Sequence, residues 1–260
     1  MVVRLYKSVT WTRALMRGAI ALSLAGALAS CSNASKAPTD ANADAAPEPT
    51  EQAASPETDA DAEAAARAEW EAQMAKIQGV LAGMDRSEII ADSSTKGPLD
   101  AAVVLLKFSD FECPYCAIAS ADMKVFTRNH ESDVLYVYKQ LPLETIHPEA
   151  LPAAKASWAA GQQDQFWIYH DGLFAFQDKL GEDYYVELAE QIGLDIEKFN
   201  RDRNSPEAQA AIDKDVKLAE DLGLRGTPTF LMNELLIPGG APLDFFEEAA
   251  RRLNAGESLN

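Results

Sequence analysis

Hydrophobic and polar positions alternate differently along three parts of the chain. Near the start, Ala19–Ala29 ("AIALSLAGALA") is an unbroken run of small and apolar residues, too short to span a bilayer as a helix. Ser32–Ala66 then carries no aromatic residue and almost no large aliphatic one, and is mostly Ala, Pro, Asp, Glu and small polar residues. Such a stretch cannot bury enough surface to offset the entropy of ordering it, so residues 31–66 are expected to form a flexible tether. From Arg67 the pattern becomes periodic. Trp70, Met74, Ile77, Leu81 and Met84 are spaced 4, 3, 4, 3, which predicts a helix over 67–85 with one apolar stripe.

The globular part is expected over 86–260. Ala102–Ser109 ("AVVLLKFS") is an almost continuous apolar run, as in a strand covered on both faces. Pro114–His130 reads as a helix, with proline in its first turn and Ile118, Ala121, Val125 and Phe126 as its inner face. Val134–Leu141 is a second strand. A helical stretch follows from about Pro148 to Leu222, then two short strands, Thr229–Met232 and Leu235–Ile237, at hairpin spacing, and a last helix near Leu243–Leu253.

Charge narrows the function. The formal net charge is -18, and the four basic residues among the first thirty (Arg4, Lys7, Arg13, Arg17) face no acidic residue there. The remainder is therefore more acidic still, which excludes nucleic acid as a partner. Basic residues before a short apolar run read as an export leader over residues 1–30. The run ends in Leu28-Ala29-Ser30-Cys31, which resembles a bacterial lipobox. The resemblance implies lipidation of Cys31, a lipid anchor, and a place on the extracytoplasmic side of the bacterial cell envelope.

With Cys31 so used, only Cys113 and Cys116 remain, in "DFECPYCAIA". A zinc site wants four ligands, but the three histidines (His130, His147, His170) lack finger-like spacing, and Ala117 stands where haem attachment wants histidine. No metal and no cofactor is expected. A redox pair has a mechanism: at a helix start, unpaired N–H groups and the helix dipole favour a thiolate at Cys113. Cys116, one turn on, can attack a mixed disulfide formed there. Pro114 has no N–H to lose, and Tyr115 offers no cation.

Strand, Cys113-Pro114-Tyr115-Cys116, helix, strand, helical insertion (about 146–205), then "RGTPTF" and a hairpin resembles an α/β thioredoxin fold. The helical insertion is similar to that of the DsbA-like thiol–disulfide oxidoreductases. The resemblance covers about residues 87–254. It implies that Cys113 and Cys116 are catalytic, and that Thr227-Pro228 is a cis-proline loop beside them that offers backbone groups to a substrate. It also implies exported protein substrates with thiols or disulfides, and a membrane redox partner, either a quinone-linked oxidase or a thiol reductase. The acid that the family often carries six residues before the first cysteine is Lys107 here, so either Lys107 pairs with an acid elsewhere in the chain or the proton moves by water or Lys139. Asp110 and Glu112 are read either as raising a thiol's pKa or as solvated loop carboxylates. Together with Tyr115 they imply a milder oxidant than DsbA. His147 and His170 read as structural.

Two other functions fit the same residues: an isomerase or reductase of this fold, and a thioredoxin-like peptide-binding module without catalysis. The stripe on 67–85 bears on the first. The stripe either docks on its own domain or forms a two-heptad seam between chains. Since isomerases of this superfamily are typically oligomers held by N-terminal segments, the resemblance implies an oxidase for the docked monomer and an isomerase for the oligomer.

Overall fold

A computed structural model describes residues 56–257. The leader, the lipobox with Cys31 and most of the tether lie outside the described residues. The chain runs α1 (Pro56–Ala82), α2 (Arg86–Ile90), β1 (Thr95–Lys96), β2 (Val103–Ser109), α3 (Pro114–Asn129) and β3 (Val134–Gln140). The insertion follows as α4 (Ala150–Gly161), α5 (Phe166–Ala175), a 3-10 turn (Gln177–Lys179), α6 (Glu182–Gln191) and α7 (Ile196–Arg203). Then come α8 (Pro206–Asp221), β4 (Thr229–Met232), β5 (Leu235–Pro238) and α9 (Leu243–Asn254).

The five strands form one mixed sheet in the order β1-β3-β2-β4-β5, with β2 and β3 parallel at its centre. Side chains of a strand alternate between faces, and the two faces carry separate cores. Val103 and Leu105 of β2 pack with Met123 and Phe126 of α3 and Phe246 of α9. Leu106 and Phe108 point the other way, onto Ile77 of α1 and Leu218 and Leu222 of α8. Both cores are closed, so this is the mixed α/β thioredoxin architecture expected. The insertion has its own core, which Phe111 and Tyr138 join to the sheet.

A buried ion pair fastens β3 to α8. Lys139 Nζ donates to Asp215 Oδ1 at 2.9 Å and to the Ile90 carbonyl at 3.2 Å, while the Gln140 N–H donates to Asp215 Oδ2 at 2.9 Å. Burial outweighs these partners and holds the Asp215 carboxyl above its usual range.

Three expectations need correction. First, α1 begins at Pro56 rather than 67. Proline suits a first turn, and Ala and Glu favour helix even where they have nothing to bury. Residues 60–69 of that helix are exposed, whereas Ile77 is buried and Val80, Leu81 and Met84 pack beside it. Second, the inner face of α3 is Cys116, Ala119, Ser120, Met123 and Phe126; Ile118 and Val125 are exposed. The position of the helix start, set by Cys113 and Pro114, turns small residues inward where the sheet comes close. Third, β1 escaped the pattern because two residues cannot show alternation.

Candidate functional site: a paired-cysteine helix start

The loop joining β2 to α3 is held from the insertion side. Asp110, fully buried, accepts from the Glu112 N–H at 2.8 Å, the Leu143 N–H at 3.0 Å and His147 Nδ1 at 2.7 Å. Glu112 accepts from the Glu149 N–H at 2.7 Å. Both carboxylates are thus tied into the framework, which corrects the reading of them as solvated. Gln177 Nε2 donates to the carbonyls of Phe111 (2.6 Å) and Cys113 (3.0 Å). No pattern in the sequence marked Gln177; a lone glutamine after a helix carries no signal of its own.

Cys113 caps α3 in an extended conformation, with Pro114 at the first helical position. Both cysteines are free thiols, Cys116 wholly buried and Cys113 showing 4% of its surface. Cys113 is therefore reached only at the small part of its surface left open. The two thiols differ sharply. A hydrogen bond from the Cys116 thiol is the largest of the causes that bring Cys113 down from 9.0 to about 5. Thr227 and the N–H groups of Cys116 and Tyr115 add to it, against an opposing cost of burial. Burial, with the hydrogen bond to Cys113, pushes Cys116 far above the ordinary thiol range. The helix-start amides thus act as expected, but the partner thiol outweighs them.

Opposite the cysteines, the Thr227–Pro228 peptide is cis. The Cys113 thiol donates to the Thr227 carbonyl at 3.4 Å, so this loop and the motif lie together although 114 residues separate them. Gly239 closes over the loop from β5, and a Cβ there would sit 2.3 Å from the Pro228 carbonyl oxygen, so only glycine fits. Tyr115, by contrast, is exposed at the motif's edge.

Lys107 and Ser109 share the face of β2 that looks towards α3. Lys107 is entirely buried; its Nζ lies 3.4 Å from the Cys116 carbonyl oxygen, 5.0 Å from the Phe174 ring centre and 5.7 Å from that of Tyr138. Burial brings its pKa down to about 8, and the two cysteine sulfurs oppose that fall. Lys139 sits on the other face with Asp215, away from the sulfurs. His170 is buried among Phe111, Tyr138, Phe166, Trp167 and Phe174, and burial holds it down to about 4. His147 and His170 both act in the framework, His147 through Asp110. No group of three metal-ligating side chains occurs among the described residues.

The model of the DSBA-like thioredoxin domain family matches residues 104–251, and the chain belongs to that family. Its members are thiol–disulfide oxidoreductases. Among solved structures, a thioredoxin-like oxidoreductase from Silicibacter pomeroyi is 29% identical with a TM-score of 0.61, covering 66% of this chain and 99% of that one. The thiol-disulfide exchange protein alpha-DsbA2 from Wolbachia pipientis is 20% identical, with a TM-score of 0.63 over 72% of this chain and 98% of that one, a likeness of fold. Curated relatives include the Na(+)/H(+) antiporter NhaA 3 of Salinispora tropica, 38% identical over 138 residues, 53% of this chain. The match spans only 21% of that antiporter's length.

Proposed function

We propose that this chain is an envelope thiol–disulfide oxidoreductase that forms or transfers disulfide bonds in exported proteins. What supports it most is the asymmetry of the two thiols beside the Thr227 carbonyl. Cys113 is the only one with any access, and it is the better leaving group. In the oxidised protein a substrate thiolate attacks Cys113 Sγ, and the electron pair of the internal disulfide leaves on Cys116. A second substrate thiolate then attacks the substrate sulfur of the mixed disulfide, forming the substrate disulfide and releasing Cys113 as a thiolate. Thr227 and Pro228 line the groove in which the substrate backbone lies, and Pro114 and Tyr115 shape the helix start. The oxidised pair is renewed by a membrane redox partner. A lipid on Cys31 holds the domain to the envelope membrane, with the acidic segment after it as a tether.

No helix among the described residues is long and apolar enough to cross a membrane. The test is Cys116→Ala in cells. It should accumulate mixed disulfides at Cys113 that thiol reductants dissolve, and Cys113→Ala should accumulate none. Absence of any such adduct would leave the peptide-binding module as the better reading.

A further inference from the structure

Cys116 poses a proton problem. When the internal disulfide opens, its sulfur leaves as a thiolate inside the protein, where burial makes the charge costly. The group must gain a proton there, and lose it again when it resolves a mixed disulfide. Among the described residues, no carboxylate is a hydrogen-bond partner of either sulfur. The charged group that acts on the Cys116 sulfur is Lys107, fully buried, whose only hydrogen bond among the described residues is to the Cys116 carbonyl. A buried ammonium without a carboxylate partner is costly in its turn.

The surroundings are polar and incompletely satisfied. Ser109 Oγ, Tyr138 OH and His170 Nε2 are all buried without a well-formed hydrogen bond. Ser109 nevertheless lies close enough to Cys116 and Tyr138 to bias the protonation of both. Lys107 and Ser109 are two residues apart on one face of β2, and Tyr138 is the partner of Lys107 across the parallel pair. The titratable groups facing Lys107 are Cys113 and Cys116 from α3, Tyr138 from β3, and His170 and Asp171 from α5. Asp171 is engaged elsewhere, with Lys124 at 2.8 Å and His170 at 3.0 Å. Lys139 is excluded by its place on the opposite face.

We propose that Lys107 is the proton reservoir for Cys116, reached across the Ser109 hydroxyl. This rests on the oxidoreductase reading. As the internal disulfide breaks, the Ser109 hydroxyl gives its proton to Cys116 Sγ and takes one from the Lys107 ammonium, leaving a neutral amine. The amine regains its proton from water between turnovers. In resolution the order reverses: Cys116 loses its proton through Ser109 to the amine and attacks Cys113 Sγ, and the electron pair of the mixed disulfide leaves on the substrate sulfur as a thiolate. Ammonium and amine are both accessible near neutral pH, since the lysine titrates at about 8.

Stopped-flow reduction of the oxidised full chain by dithiothreitol, from about pH 6 to 10, tests this once rates are divided by reductant thiolate concentration. The native rate should fall as pH rises, with a midpoint below about 8, because the oxidised chain lacks the cysteine charge that holds the lysine up. Lys107→Met should lose that fall and run about 10²-fold slower at neutral pH. Lys107→Arg keeps the charge but releases no proton, so it should lose the fall as well. A fall that persists in either folded variant overturns the inference. If neither variant unfolds cooperatively, carbon-13 titration of the lysine ε-carbons in the native chain decides. One lysine should titrate near 8, at a lower midpoint when the dithiol is oxidised; all lysines above about 10 in both redox states would overturn it. A native chain whose disulfide does not exchange at all would fail the oxidoreductase reading instead.

Discussion

At the scale of single residues, the two cysteines are chemically alike in sequence and opposite in place. Cys113 gains hydrogen bonds as a thiolate, and Cys116 would lose its shelter as one. Alkylation of the reduced protein across a pH series should therefore label Cys113 with a midpoint of about 5, while Cys116 stays unreactive. With one thiolate and one thiol in the reduced state, reduction takes up one proton per two electrons. The midpoint potential should then fall about 30 mV per pH unit from about pH 5 to 7, rather than about 59. Stability follows the same shift. A thiol held below its unfolded value of 9.0 stabilises the reduced fold fully above pH 9, and that contribution is lost as pH falls through 5. Urea unfolding of the reduced protein should show a rise in stability from pH 5 to 9 that is smaller in Cys113→Ser, where only His170 below pH 6.5 and Lys107 above pH 8 still contribute one.

At the scale of elements, α3 carries both the chemistry and much of one core. Its true inner face predicts which substitutions matter. Phe126→Ala, at a wholly buried ring between β2 and α9, should cost about 3–5 kcal/mol in denaturant unfolding. Ile118→Ala, at an exposed position, should change stability by less than about 0.5 kcal/mol. On the other face, Asp215→Ala leaves Lys139 buried without its carboxylate partner, with only the Ile90 carbonyl to accept from it. A loss of about 3–5 kcal/mol is expected there, with the cysteine titration unchanged, because the sheet lies between the two groups.

At the scale of the molecule, the acidic surface and the docked end of α1 bear on assembly. The apolar stripe lies on the domain through Ile77, Leu81 and Met84, and residues 60–69 of the same helix offer only exposed alanine and charged positions. Little apolar seam remains for a second copy. Light scattering on the chain from Ala66 should report a monomer, which fits an oxidase; a stable dimer or trimer would favour the isomerase. Labelled palmitate should enter the native protein and not Cys31→Ser.

Patterns of apolar residues specified the central strands, α3, the hairpin and the last helix to within a residue or two, because alternation and helical period are local properties. Cys113-Pro114-Tyr115-Cys116 at a strand-to-helix junction was equally local, and so was the proline at the helix start. Rotation of α3 was not: Ile118 and Ala119 fit a helix equally well, and only the approach of the sheet chose the smaller one to face inward. The contact between Cys113 and Thr227 joins residues 114 apart, and no spacing rule reaches that far without the family resemblance. Asp110 and Glu112 read as surface charges until Leu143, His147 and Glu149 were folded onto them. Lys107 is the clearest case. A lysine in an apolar run could only be noted as unusual by sequence, whereas the packing of β2 against α3 and α5 put its amine beneath Cys116 and kept carboxylates away.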